Sequence, residues 1–265
     1  MGLRKIYIVP NFVTTANLFC GFYSIIASIH LDFIGASNAI LAASVFDMLD
    51  GRVARLAKAT SRFGVEYDSL SDLVSFGVAP SILLYQWSLE PFGRLGWMAA
   101  FLFAACGALR LARFNVTTNI APKGFFQGLP IPMAAGIIAT FIIFQNYVGW
   151  PEAGDPASLH ARQILVLGLT FGVASLMVST IRFPSFKELN WRSKQSFSYL
   201  LIGVLIMILV AVKHEVTLFV LAAVYVTASL TWNCYRWVKG PSAAEKKRAV
   251  LAESHLEHSG HGHGD

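Results

Sequence analysis

Long apolar runs separated by short polar ones dominate the chain. A helix needs about 20 mostly apolar residues to cross the hydrocarbon core of a bilayer. Eight stretches meet or approach that length, at residues 12–31, 37–57, 73–89, 97–114, 130–148, 164–181, 199–212 and 216–238. The seventh is short, and Lys213-His214-Glu215 marks a tight turn before the eighth. The pattern predicts an all-α, polytopic transmembrane helical bundle of about eight spans. The polar stretches set its orientation. With the N-terminus in the cytosol, eighteen of the 21 Lys and Arg fall on the cytosolic side, leaving Arg94, Arg162 and Lys213 on the other. That asymmetry is the one the positive-inside rule requires. Trp87, Trp97, Trp150, Trp191, Trp232 and Trp237 lie near expected span ends, as an aromatic belt does. Both termini are therefore expected in the cytosol, with the chain multi-pass in the cell inner (cytoplasmic) membrane.

Composition agrees. Of 265 residues, 55% are hydrophobic and 14% charged, against about 25% charged in soluble domains. The net charge of +6 sits at the ends of apolar runs rather than on one basic face, so no nucleic-acid partner is expected. Cys20, Cys106 and Cys234 are scattered singly, which supports neither a disulfide framework nor a zinc site. The first apolar run lacks a small-residue cleavage site and is expected to remain as a span. Residues 1–11 set Leu3, Ile6, Tyr7 and Ile8 against Arg4 and Lys5 and read as an interfacial amphipathic segment. Residues 12–238 form the transmembrane domain that carries the chemistry. Residues 239–265 read as a cytosolic disordered tail, with His255, His258, His261 and His263 among glycines.

The chemistry is concentrated where the second and third spans approach the cytosol. Asp47 and Asp50 are three residues apart and share a helix face, as do Asp68 and Asp72, four apart. A charge at the bilayer centre costs at least about 2.5–3.5 kcal/mol, so four carboxylates in such helices need partners. The short loop at 59–63 should bring the two pairs together, where they would repel. Divalent ions relieve that repulsion, and an all-oxygen donor set suits Mg2+ or Mn2+, as one ion or, by expectation, two. Gly51 and Gly64 leave room for a bulky ligand beside the acids. With arginines adjacent, the pocket reads as a metal-bound pyrophosphate site.

Asp47-x-x-Asp50-Gly51-x-x-Ala54-Arg55, then eight residues, then Gly64-x-x-x-Asp68-x-x-x-Asp72 resembles the complete signature of the CDP-alcohol phosphotransferases. The resemblance continues in residues 68–80, Arg110-Leu-Ala-Arg-Phe-Asn115, Phe126-Gln-Gly-Leu-Pro-Ile-Pro132 and Arg182-Phe-Pro-Ser-Phe-Lys187. Together with Pro10-Asn11-x-x-Thr14-x-x-Asn17, these are similar to the membrane-embedded phosphatidylserine synthases of bacteria and archaea. The likeness implies transfer of a phosphatidyl group from CDP-diacylglycerol to the hydroxyl of L-serine, giving phosphatidylserine and CMP. It also implies a homodimer among membrane lipids. By the same likeness, Asp47, Asp50 and Asp68 ligate metal, while Asp72 is the general base and close enough to share an ion. Pro10, Asn11, Phe12, Val13, Thr14, Gly51, Arg55, Ser61 and Gly64 would hold the CDP-lipid.

Serine brings a carboxylate and an ammonium, so its pocket needs a cation and an oxygen partner. Arg110, Arg113, Asn115 and Gln127 lie at the cytosolic end of spans four and five, on the side of the aspartates, with Arg182 and Lys187 next. Two alternatives stand beside this. One keeps the chemistry with glycerol 3-phosphate or inositol phosphate as acceptor, which calls for a denser cationic pocket. The other is a divalent-metal transporter. That would place its acids near mid-membrane, often in repeated halves, and no second acidic cluster or repeat is visible in the sequence.

Overall fold

Helix α1 (Leu3–Ile29) and helix α2 (Phe33–Leu56) make a helical hairpin that opens the fold. The turn between them places Leu31 at φ 63°, and Asp32 closes it by accepting a hydrogen bond from the Gly35 N–H at 2.9 Å. The computed structural model describes residues 3–56, 61–117, 125–149, 156–184 and 196–239. The segment expected to lie along the interface is continuous with the first span, since α1 runs unbroken from Leu3.

Ser61 starts α3 (Arg62–Asp72), its hydroxyl accepting from the Gly64 N–H at 3.0 Å as an N-cap should. The chain then continues without a turn through a π-helical stretch (Leu73–Val78), α4 (Ala79–Leu84), a second π-helical stretch (Tyr85–Leu89) and a short 3-10 turn (Glu90–Phe92). The widened turns have an identifiable cause. Pro80 and Pro91 have no N–H and crowd the carbonyl four residues back, and widening the helix relieves that crowding. At Trp87, four residues before Pro91, the freed carbonyl accepts from Arg162 Nη2 at 3.5 Å. This irregular third segment is central to the bundle: Phe76, Leu83, Leu84 and Leu89 have no exposed surface.

Around it stand α5 (Arg94–Thr117), α6 (Ile131–Val148) and α7 (Pro156–Val178). A two-stranded antiparallel ribbon, β1 (Phe125–Gln127) with β2 (Arg182–Pro184), pairs Phe126 with Phe183, so the fold is helical apart from this one small ribbon among the described residues. Gly128 follows β1 at φ 77°, a conformation that suits glycine. Its N–H donates to Ile181 O at 2.9 Å, and a Cβ there would stand 2.7 Å from Arg113 Nη2. Helix α8 (Ser196–Val212) leads through Lys213 into α9 (His214–Lys239). Phe219 of α9 stacks on Phe144 of α6, with centroids 4.7 Å apart. Residues from Tyr225 onward form a second unit. Within it Trp232, Tyr235 and Trp237 are exposed and the Lys239 ammonium lies over the Tyr235 ring at 4.7 Å.

Among the described residues, six helices are long and apolar enough to cross a membrane: Asn11–Ile29, Phe33–Val53, Arg94–Val116, Ile131–Val148, Leu159–Val178 and His214–Trp237. Eight were expected. The third falls outside this set because proline-induced turns break its regular helix, and the seventh because α8 has only 17 residues.

Candidate metal and acceptor site

Three helices converge on the acidic cluster. Asp47 and Asp50 come from the end of α2, Asp68 from α3, and one oxygen from each of these three carboxylates lies within 4.8 Å of the others. Asp50 is 5% exposed, and its Oδ2 accepts from the Thr14 hydroxyl of α1 at 3.1 Å. Asp68 Oδ1 is buried without a hydrogen-bond partner. An unpaired carboxylate oxygen beside two more acids is unfavourable unless a cation faces it. Three hard oxygen donors suit Mg2+ or Mn2+, so the residues present fit the expected divalent ion.

Asp72 does not join that trio. It is buried at the end of α3, and its Oδ1 accepts from Asn17 Nδ2 of α1 at 3.0 Å. Further polar contacts line the seam between α1 and the Asp72 end of the third segment. Ser71 Oγ donates to Thr14 O at 3.1 Å and Ser75 Oγ to Asn17 O at 3.0 Å. Gly21 allows this approach, since a Cβ on it would stand 2.6 Å from Ser75 Cα. Sequence reasoning placed Thr14 among ligand contacts and gave Asn17, Ser71, Ser75 and Gly21 no role. The available signal was the spacing of Thr14, Asn17 and Gly21, which puts all three on one face of a helix.

The residues expected around the CDP-lipid divide. Asn11, Ser61 and Gly64 come together: a Cβ on Gly64 would lie 3.2 Å from Ser61 Oγ and 3.5 Å from Asn11 Oδ1. Gly51 is half-buried beside Asp50, Val13 half-buried on α1, and Phe12 is 73% exposed. Next to them, Tyr67 of α3 shares a 2.9 Å hydrogen bond with Thr15 and stacks on Phe63. The side chains of Pro10, Arg55 and Arg182, with Lys187 and the His-rich tail, lie outside the described residues.

The four acceptor candidates also separate. Arg110 is 8% exposed, within electrostatic reach of Asp72 and Asp47, with its guanidinium 5.3 Å from the Phe114 ring centre. Asn115 is exposed, and its Nδ2 donates to Ser69 Oγ at 3.0 Å, one residue beyond Asp68. Arg113 instead donates to the backbone carbonyls of Gln127, Val178, Met177 and Ser179 at 2.9–3.3 Å. It thereby satisfies the open carbonyls at the end of α7. Gln127 contributes its carbonyl to that clasp while its side chain is exposed.

Comparison with known proteins follows the same residues. The profile of the CDP-alcohol phosphatidyltransferase family matches residues 7–174. A CDP-diacylglycerol–serine O-phosphatidyltransferase of Helicobacter pylori is 39% identical over 239 residues, 90% of this chain and 94% of that protein. The protein of that name from Bacillus subtilis is 34% identical over 180 residues, 68% of this chain and 92% of its own. An archaetidylserine synthase of Methanothermobacter thermautotrophicus is 38% identical over 180 residues, 66% of this chain and 69% of its own. A family profile that spans the clustered aspartates, and relatives alike over most of both chains, place this chain in the CDP-alcohol phosphatidyltransferase family.

Proposed function

We propose that the chain transfers the phosphatidyl group of CDP-diacylglycerol to the hydroxyl of L-serine, releasing phosphatidylserine and CMP. The observation that carries this reading is the likeness, along nearly the whole of both chains, to a relative named for that reaction. The archaetidylserine synthase changes the lipid in its name and keeps the serine, so the acceptor is the shared part.

Asp47, Asp50 and Asp68 would hold the divalent ion, Mg2+ or Mn2+, alone or as a pair. Bound there, it would neutralise charge on the pyrophosphate and on the departing CMP. Asp72 takes the proton of the acceptor hydroxyl. The oxygen so freed forms a bond to the lipid-side phosphorus while the bond to CMP breaks, its electron pair leaving with CMP. Arg110 supplies the cation for the serine carboxylate, with Asn115 at the mouth of the same pocket. Arg113 and Gln127 act structurally, clasping the end of α7 to β1. Asn11, Phe12, Val13, Thr14, Ser61 and Gly64 line the CDP-lipid side, with Pro10, Gly51 and Arg55.

The rest of the reading is topological. The chain crosses the cell inner (cytoplasmic) membrane about eight times, counting the proline-broken third segment and the short α8, with both termini and the site on the cytosolic side. Residues 1–11 lead into the catalytic domain at 12–238, and 239–265 form a cytosolic tail. Two copies pair as a homodimer. A single assay tests the reaction. Detergent-solubilised protein with CDP-diacylglycerol, Mn2+ or Mg2+, and L-serine should release CMP and phosphatidylserine in equal amounts. CMP release that requires glycerol 3-phosphate or inositol phosphate in place of serine would overturn the proposed acceptor.

A further inference from the structure

Asn17 is a buried polar residue beside the acidic cluster that the reaction above leaves unused. It has no exposed surface, and while its Nδ2 donates to Asp72 Oδ1 at 3.0 Å, its own Oδ1 is buried without a partner. A stranded amide carbonyl in an apolar bundle destabilises the fold relative to a small apolar side chain. What the asparagine provides in return is one donor aimed at Asp72. Its backbone is fixed as well, because Ser75 Oγ donates to Asn17 O and Gly21 sits against Ser75. Helix α1 therefore cannot slide or turn against the helix bearing Asp72 without losing these contacts.

The contrast with Asp50 is informative. Thr14, one turn earlier on α1, donates to an acid that belongs to the three-carboxylate group, whereas Asn17 donates to the acid outside it. A carboxylate has two oxygens. With Oδ1 tied to Asn17, the other remains for the acceptor hydroxyl.

We propose that Asn17 is a positioning residue: its amide holds Asp72 Oδ1 so that Asp72 stays clear of the Asp47, Asp50 and Asp68 group and presents its second oxygen to the acceptor. The inference rests on the reading of Asp72 as the base. It predicts a selective loss. Asn17→Leu, close in size and without a donor, should lower kcat about 10–100-fold, part of the roughly 10²–10⁴-fold that positioned proton transfer supplies. The KM values for serine and CDP-diacylglycerol and the Mn2+ concentration for half-maximal activity should stay within about twofold of the parent's. In an Asp72→Asn background, Asn17→Leu should cost nothing further, since residues acting through one another are not additive. Asn17→Ser, which keeps one donor, should fold and fall between the two; if Asn17→Leu yields no folded protein, Asn17→Ser decides by the same criteria. An unchanged kcat, a loss that multiplies that of Asp72→Asn, or a raised Mn2+ requirement would overturn the proposal. Full activity in Asp72→Asn itself would instead remove Asp72 as the base, so the two failures are distinguishable.

Discussion

The two ends of the third segment hold charge in different ways. At the end carrying Asp72, polar side chains hold polar side chains: Thr14 on Asp50, Asn17 on Asp72, Ser71 and Ser75 on the backbone of α1. One acid oxygen there, on Asp68, is left buried without a partner. At the Trp87 end two cations lie over rings and also hydrogen-bond, Arg162 Nη2 to Trp87 O at 3.5 Å and Lys213 Nζ to Tyr147 Oη at 2.9 Å. Arg162 lies 5.1 Å from the Trp87 ring centre and Lys213 5.0 Å from that of Tyr147, and Trp87 meets Phe141 edge-on. An aromatic face satisfies a cation without fixing its direction closely, which suits an anchor at a membrane interface. At the Asp72 end the hydrogen bonds orient carboxylates, and an unpaired acid oxygen beside two more acids suits a cation-binding site. On the proposed function, the end with the clustered acids is the one that reacts and the end with the ring-faced cations the one that anchors.

Substitutions at the two ends should therefore differ by orders of magnitude. Asp50→Ala or Asp68→Ala should lower CMP release at least about 10³-fold, because the site loses a ligand to the ion that stabilises several kcal/mol of developing charge. Asp72→Asn should lower it about 10²–10⁴-fold while CDP-diacylglycerol binding, followed by equilibrium dialysis in detergent, stays within a few-fold. Arg113→Leu should act on stability instead. Losing a charged donor to the end of α7 costs about 1.5–3 kcal/mol, visible as a lower thermal midpoint with turnover per folded molecule retained. Arg162→Leu, at the far end, should cost about 1 kcal/mol and leave turnover within about twofold. If Arg162→Leu proved as damaging to turnover as Asp72→Asn, the separation of the two ends would be wrong.

The aspartates were legible because acids inside apolar runs are costly, so their spacing stands out against everything around them. Six of the expected spans were legible because long, unbroken apolar runs stand out in the same way. The third was visible as an apolar run, but its widened turns depend on Pro80 and Pro91 acting within a packed bundle, where Trp87 O finds Arg162. Periodicity does not encode that. Arg110 and Arg113 illustrate a second limit. Three residues apart at one helix end, both satisfy the positive-inside rule, yet one is buried near Asp72 and Asp47 while the other clasps α7 and β1. Their difference lies in which distant segment each meets. Asn17 stood in the sequence only as part of a resemblance, because an asparagine on an apolar helix does not name its partner, 55 residues away.

Mn2+ binding to the protein and its four single Asp→Asn variants tests the division of labour among the acids most directly. Titration followed by the loss of free-Mn2+ paramagnetic resonance should show affinity falling at least about tenfold in Asp47→Asn, Asp50→Asn and Asp68→Asn, the scale on which a disturbed metal site loses affinity. Asp72→Asn should bind Mn2+ within about threefold of the parent while failing to turn over. Equal loss of Mn2+ affinity in Asp72→Asn would make Asp72 a fourth ligand and contradict the division of labour that sets it apart from Asp47, Asp50 and Asp68.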